Sequence, residues 1–134
     1  MAITWQDDLA TGIEVVDIQH KEIFSRFDAF SDAFDQGVAL GVLTELLLFL
    51  ERYTQQHFWD EEDYMAGSRY PELAEHKIAH RTFLDDLTRL QADVRGDDTN
   101  SRHIMVAKRL LILWFIKHIR VSDKEFASYL SRRS

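Results

Sequence analysis

Apolar residues recur three and four positions apart along four long stretches of this sequence, and that period is typical of amphipathic helices. The single proline, Pro71, lies at the start of one stretch, and only five glycines occur among the 134 residues. Long helices are therefore rarely interrupted, whereas a β protein would need more turn residues. The pattern predicts an all-α protein.

The predicted helices are separated by short connections, which favours an antiparallel up-down-up-down four-helix bundle forming one domain over residues 1–134. Asp17 is predicted to cap the first helix, and Asp98 or Thr99 the fourth. Residues 1–17 show no helical period and are interpreted as an arm that packs on the bundle through Trp5 and Ile13. The predicted helices cover residues 18–36, 42–65, 71–94 and 98–119, with a short C-terminal helix over 123–130.

Charge and composition exclude several classes of protein. The net charge of −7 and the absence of a basic stripe argue against binding to nucleic acid or anionic lipid. The longest apolar run, Leu110–Ile116, is far shorter than the roughly 20 residues that cross a bilayer. Asp7 and Asp8 lie where a signal peptide would be basic. Cysteine is absent, which excludes disulfides and thiolate ligands, so we expect a soluble, cytoplasmic protein.

Polar residues on the inner stripes of the predicted helices are the informative exceptions. His57 and Glu61 are four residues apart and share a helix face, as do His76 and His80. Two side chains five residues apart can both face inward only if the helix ends, widens into a π-turn or bends between them. His118 and Asp123 have this spacing. In all, seven polar residues are candidates for the inner face: His20, His57, Glu61, His76, His80, His118 and Asp123.

Each of these residues alone has an ordinary explanation, such as a hydrogen-bonded core histidine or, for Asp123, a helix cap. Together, five buried imidazoles and two buried carboxylates would cost several kcal/mol apiece without partners, and a metal site would offset that cost. Without thiolates, iron, manganese or zinc remain, and seven ligands exceed a tetrahedral zinc site. With two bridging carboxylates and a bridging hydroxide, two octahedral ions would keep one open position. The sequence therefore predicts a two-metal centre that can accept a small ligand.

The motifs around these residues resemble the hemerythrin family over nearly the whole chain. Asp17–His20 reads D-x-Q-H, and His57 begins H-F-x-x-E-E-x-x-M. Tyr70-Pro71 then precedes the H-x-x-x-H motif, and W-x-x-x-H-I-x-x-x-D begins at Trp114. A stand-alone chain of this length is similar to bacterial hemerythrins, for which oxygen transport, storage or delivery is proposed.

The resemblance implies a di-iron centre with a bridging hydroxide or oxo group that binds dioxygen reversibly. Nitric oxide and other small molecules are alternative ligands. By this resemblance one iron is saturated by His76, His80 and His118. The other iron is held by His20 and His57 and keeps the open position. Both carboxylates, Glu61 and Asp123, bridge the two irons.

The resemblance also suggests which side chains line the oxygen pocket. The residue after Trp114 is commonly leucine in the family, whereas here it is Phe115, which could narrow the pocket or change the rate of autoxidation. Phe24, Phe27 and Phe58 are further candidates for the apolar wall, together with Trp114. Ordinary core packing is the alternative interpretation for all of them. His103 belongs to no motif and is expected to be exposed.

Three other functions fit parts of this pattern. A di-iron oxidase or ferroxidase would use Glu-x-x-His pairs, but no glutamate lies three residues before a histidine, and only Asp17 precedes His20 at that spacing. A free-standing sensor of oxygen, nitric oxide or redox state would have the same sequence features. A structural or metal-buffering bundle would not need the predicted open position.

Overall fold

The computed structural model describes residues 5–96 and 101–133, and every regular element in those ranges is helical. A 3₁₀ turn precedes the first long helix, and a π-helical stretch joins the last two helices into one continuous rod. The elements are the 3₁₀ turn Asp7–Leu9, α1 (Glu14–Asp35), α2 (Leu40–Gly67), α3 (Leu73–Arg95), α4 (Ser101–His118), the π stretch Ile119–Asp123 and α5 (Lys124–Arg133). The predicted all-α class is confirmed.

The four long helices pack side by side, each antiparallel to its neighbours. In every packed pair, residue numbers rise along one helix while those of their contacts fall along the other. The contacts that show this are Gln19–His57 and Arg26–Tyr53 for α1 and α2, Glu61–His76 and Leu47–Gln91 for α2 and α3, His80–His118 and Phe83–Trp114 for α3 and α4, and Phe24–Phe115 and Ser31–Lys108 for α1 and α4. The predicted four-helix bundle is confirmed.

Apolar side chains fill the bundle on both sides of a polar layer. The larger cluster includes Phe30, Leu47 and Leu90, and extends toward the α1–α2 connection. A smaller cluster of Met65, Tyr70 and Phe126 lies at the other end, where α5 meets the α2–α3 connection. Each fully buried leucine or phenylalanine contributes roughly 1.5–3 kcal/mol. These two clusters pack the helices together around the polar layer.

The first helix begins earlier than predicted, and the assignment of Asp17 as its N-cap is wrong. Ile13 occupies the cap position, and Asp17 lies inside the first turn of α1. Its carboxylate accepts hydrogen bonds from Thr11 N and Thr11 Oγ1, both at 2.8 Å, and from Gly12 N at 3.1 Å. Gly12 has a φ of +86°, a left-handed conformation that glycine adopts without strain. Asp17 therefore fastens the preceding loop to the helix.

Other helix ends also differ in detail. The predicted third helix starts at Pro71, but Pro71 and Glu72 form a turn and α3 begins at Leu73. The predicted caps Asp98 and Thr99 lie outside the described residues.

The N-terminal arm packs on the bundle, as predicted. The Trp5 ring lies 5.6 Å from that of Phe24, and Leu9 is only 1% exposed. The Arg120 guanidinium donates to the Asp8 carboxylate at 3.0 Å. Ile13 packs beside the cluster around Met65. The arm therefore covers the outside of the bundle where α1 meets the π stretch.

Within residues 5–96 and 101–133, no helix combines the length and the apolar character that a membrane crossing requires.

Candidate metal centre

All seven predicted ligands lie in the polar layer and are buried. They come from every long helix and from the π stretch, so the layer forms only when the whole bundle has assembled. Their exposed fractions are 0% for His20, 1% for His57, 2% for Glu61, 5% for His76, 1% for His80, 6% for His118 and 2% for Asp123.

The predicted ligand atoms form two groups that share the Glu61 carboxylate. One group contains three histidines and two carboxylates, and the other contains two histidines and Glu61; within each group the atoms lie within 4.8 Å of one another. Asp123 also faces both groups, since its Oδ2 lies 3.1 Å from His20 Nε2 and its Oδ1 lies 3.0 Å from His76 Nε2. The larger group is Glu61, His76, His80, His118 and Asp123, and the smaller is His20, His57 and Glu61.

The π-helical stretch explains how residues five apart point the same way. Ile119–Asp123 is π-helical, and each π turn contains more residues than an α turn. Asp123 Oδ1 consequently lies 3.3 Å from His118 Nε2, although both belong to one continuous rod. Of the three geometries that the spacing allowed, the structure has the π-turn.

Several polar atoms of the cluster suit a metal because they lack hydrogen-bond partners. Among the described residues these atoms are both ring nitrogens of His20, Nε2 of His57, Oε2 of Glu61 and Oδ1 of Asp123. A buried polar group without a partner costs about 1–3 kcal/mol. Imidazole nitrogen and carboxylate oxygen together are donors that iron, manganese and zinc accept. The residues therefore fit metal ions on the evidence of their own unpaired atoms.

The pKa values show how protons compensate the carboxylates in the metal-free protein. Burial lowers the pKa of His20, but the nearby carboxylates of Asp123 and Glu61 attract its imidazolium proton, outweigh burial and raise that pKa to about 9. The pKa of His76 is also raised to about 9, by the same balance. Burial opposes ionisation of Glu61, yet the N–H groups of four nearby histidines hold its pKa well below the usual range. Burial lowers the pKa of His57. The centre therefore holds two ionised carboxylates and compensating imidazolium protons, and metal cations would replace those protons.

Two polar residues outside the ligand set orient histidine rings. Gln19 Oε1 lies 2.7 Å from His57 Nδ1, and a Glu62 carboxylate oxygen lies 2.6 Å from His80 Nδ1. Both oxygens can only accept, so each Nδ1–H donates and Nε2 faces the cluster. Neither Gln19 nor Glu62 was predicted to have a role, although each directly adjoins a predicted ligand in its motif. That adjacency was the only signal available.

Phenylalanine rings lie against His20. Phe115 is fully buried, and its ring is edge-on to that of His20 at 5.7 Å. Phe24 and Phe27 lie 5.9 and 6.4 Å from Phe115. Three of the five predicted pocket residues therefore form one apolar group beside the smaller histidine pair.

The other two predicted pocket residues stack on histidines of the larger group. Phe58 is parallel to the His80 ring at 3.7 Å, and half-buried Trp114 is nearly parallel to the His118 ring at 4.7 Å. Their main contacts hold these imidazoles in place. The side chain of His103 lies outside the described residues.

Comparisons with known proteins agree with this geometry. The family model of the hemerythrin HHE cation binding domain matches residues 11–130. A bacteriohemerythrin of Pseudomonas paraeruginosa is 34% identical over 122 residues, covering 90% of this chain and 76% of that protein. A myohemerythrin of Theromyzon tessulatum is 27% identical over 126 residues, covering 94% and 92% of the two chains. The chain therefore belongs to the hemerythrin family, whose domains hold a non-haem di-iron centre.

Proposed function

We propose that this protein binds dioxygen reversibly at a di-iron centre and serves to transport, store or deliver it. Membership of the hemerythrin family supports the assignment of a non-haem iron domain that binds oxygen. The observation that carries the proposal is the pair of unequal ligand groups, three histidines against two, both contacting Glu61 and Asp123. If each group held one metal ion, the ion in the two-histidine group would have fewer protein ligands and therefore room for oxygen.

The proposed ligand assignment follows the two groups. One iron would be held by His76, His80 and His118, and the other by His20 and His57. Glu61 and Asp123 would serve both irons. The proximity of each carboxylate to histidines of both groups supports this: Glu61 contacts His57 as well as His76, and Asp123 contacts His20 as well as His76. The iron that His20 and His57 would hold would then have fewer protein ligands than the other.

When bound, iron supplies the electrons for reversible oxygen binding. The chain's own residues would then serve three purposes. The hydrogen bond from His57 Nδ1–H to Gln19 holds the imidazole in the tautomer that presents Nε2. The bridging carboxylates balance the metal charge within a buried layer, where an uncompensated charge is expensive.

Water exclusion is the third purpose, and it falls to the phenylalanines beside His20. Phe24 and Phe115 are 2% and 0% exposed, so bulk water is kept from that side of the centre. Phe115 fills space where the family commonly has leucine. We therefore expect a narrower oxygen pocket and altered autoxidation in this protein.

The test is to add ferrous iron anaerobically to the metal-free protein, count irons per chain and record visible spectra through cycles of air and argon. Two irons and a colour that appears in air and bleaches under argon are expected. Rapid irreversible conversion to ferric protein, with turnover of added ferrous iron, would instead indicate a ferroxidase. One iron or none would refute the di-iron assignment. The His57→Gln variant should lose an iron, whereas His103→Gln, at a histidine outside every motif, should keep both.

A further inference from the structure

The two ligand groups differ in the acceptor that lies behind one of their histidines. In the three-histidine group, His80 Nδ1 faces the carboxylate of Glu62 at 2.6 Å. In the two-histidine group, His57 Nδ1 faces the neutral amide oxygen of Gln19 at 2.7 Å. The bonds are similar in length, but only one of the acceptors is acidic.

The surroundings fix both acceptors in these roles. Gln19 Nε2 donates to the Asp60 carboxylate at 2.9 Å, which requires the amide oxygen to face His57. The Glu62 side chain is 22% exposed and lines a surface groove of about 390 Å³ beside His80. Glu62 therefore connects a deeply buried imidazole to the solvent boundary.

A carboxylate and an amide affect a ligating imidazole differently. A hydrogen bond to an ionised acceptor is roughly twice as strong as one between neutral groups. Donating Nδ1–H to a carboxylate also raises the basicity of the ligating nitrogen. A more basic ligand, close to a negative charge, stabilises Fe³⁺ more than Fe²⁺ because the attraction grows with the charge of the ion. A neutral amide supplies less of this effect.

We propose that Glu62 is a positioning residue that increases the difference between the two irons, holding His80 by its Nδ1–H and favouring the ferric state of the iron on the three-histidine side. The parallel stack of Phe58 on His80 fixes the ring plane, so Glu62 acts on an imidazole with one orientation. The couple concerned is Fe³⁺ plus one electron giving Fe²⁺, and Glu62 exchanges no proton in that step. This inference rests on the ligand assignment proposed above.

Three variants separate the charge from the hydrogen bond. Glu62→Gln keeps an acceptor oxygen and removes the charge, and Glu62→Ala removes both. Asp63→Asn is the matched control, because it removes one negative charge from the neighbouring, exposed position of α2.

Three measurements report on the centre without oxygen binding. In the zinc-loaded protein, the His80 Nδ1 proton resonance should move upfield in Glu62→Gln and stay in place in Asp63→Asn. Release of zinc to a chelator should become about 10-fold faster in Glu62→Ala, the lower end of the usual effect of losing such a partner. A reductive titration of the iron-loaded protein with dithionite should show that the ferric iron reduced second in the wild type is reduced more readily in Glu62→Gln.

Each outcome has a distinct meaning. A Glu62→Gln protein that keeps two metals, with an unchanged His80 resonance and an unchanged reduction midpoint, would overturn the inference. So would an equal change in Asp63→Asn, which would assign the effect to general surface charge. Loss of metal from Glu62→Gln without any change in midpoint would leave Glu62 a structural role only. Failure of the wild type to bind two irons would instead refute the proposed function.

Discussion

Raising the pH should destabilise the metal-free protein well before its lysines titrate. The cause is the pair of histidines, His20 and His76, whose imidazolium protons are held by Glu61 and Asp123. A group whose pKa is higher in the folded than in the unfolded state stabilises the fold below its unfolded pKa. That contribution disappears as the pH rises through the folded pKa.

The magnitude follows from the two shifts. Each histidine has a pKa of about 9 when folded and 6.5 in the reference state. Between about pH 7 and about pH 9.5, each would lose about 2–3 kcal/mol of stabilisation, or about 5 kcal/mol together. His57 acts in the opposite direction, since its lowered pKa weakens the fold below about pH 6.5. The metal-free protein should therefore be most stable near neutral pH.

Urea unfolding followed by far-ultraviolet circular dichroism would measure this change at several pH values. The zinc-loaded protein is the first comparison, because metal ions hold the same imidazoles deprotonated and should flatten the profile over this range. The double variant His20→Gln, His76→Gln is the second, and its metal-free form should lose most of the slope.

Two results would refute this reasoning. One is a metal-free protein whose unfolding free energy changes by less than about 1 kcal/mol between those pH values. The other is a double variant that declines as steeply as the wild type, which would place the titrating groups elsewhere in the protein.

Two substitutions test the packing around the centre. Phe115→Leu should cost about 1–2 kcal/mol of unfolding free energy, through lost contacts and a small cavity, and should speed conversion of the oxygenated protein to ferric protein as water reaches His20; slower conversion would show that Phe115 does not exclude water. Leu9→Ala should cost about 2–5 kcal/mol in urea unfolding, because Leu9 is 1% exposed within the main core. A cost below about 1 kcal/mol would mean that the arm adds little to the fold.

The helices were predicted well because each has a long apolar stripe, and such a stripe can be recognised from the sequence without a structure. The sequence did not locate the start of α1, since the partners of Asp17 are backbone amides of a loop whose path depends on tertiary packing. It likewise did not predict the Arg120–Asp8 pair, which joins residues 112 positions apart.

For the centre, the spacing of the ligands indicated which residues share a helix face, and the structure brings all seven together. The orienting residues were harder to recognise. Gln19 and Glu62 both adjoin ligands in the sequence, but many glutamines and glutamates on helices face solvent. Only the positions of neighbouring helices show that these two side chains reach His57 and His80.

The π stretch has a consequence for how the length of this protein can change. One extra residue within a continuous helix rotates everything downstream by about 100°, and that rotation sets the phase in which α5 follows α4. In this phase Phe126 packs on Tyr70, with 5.0 Å between ring centres, while Asp123 remains in the polar layer. A single-residue insertion or deletion between His118 and Phe126 would put either Asp123 or the terminal helix out of phase. Viable length changes in that segment are therefore restricted to whole turns.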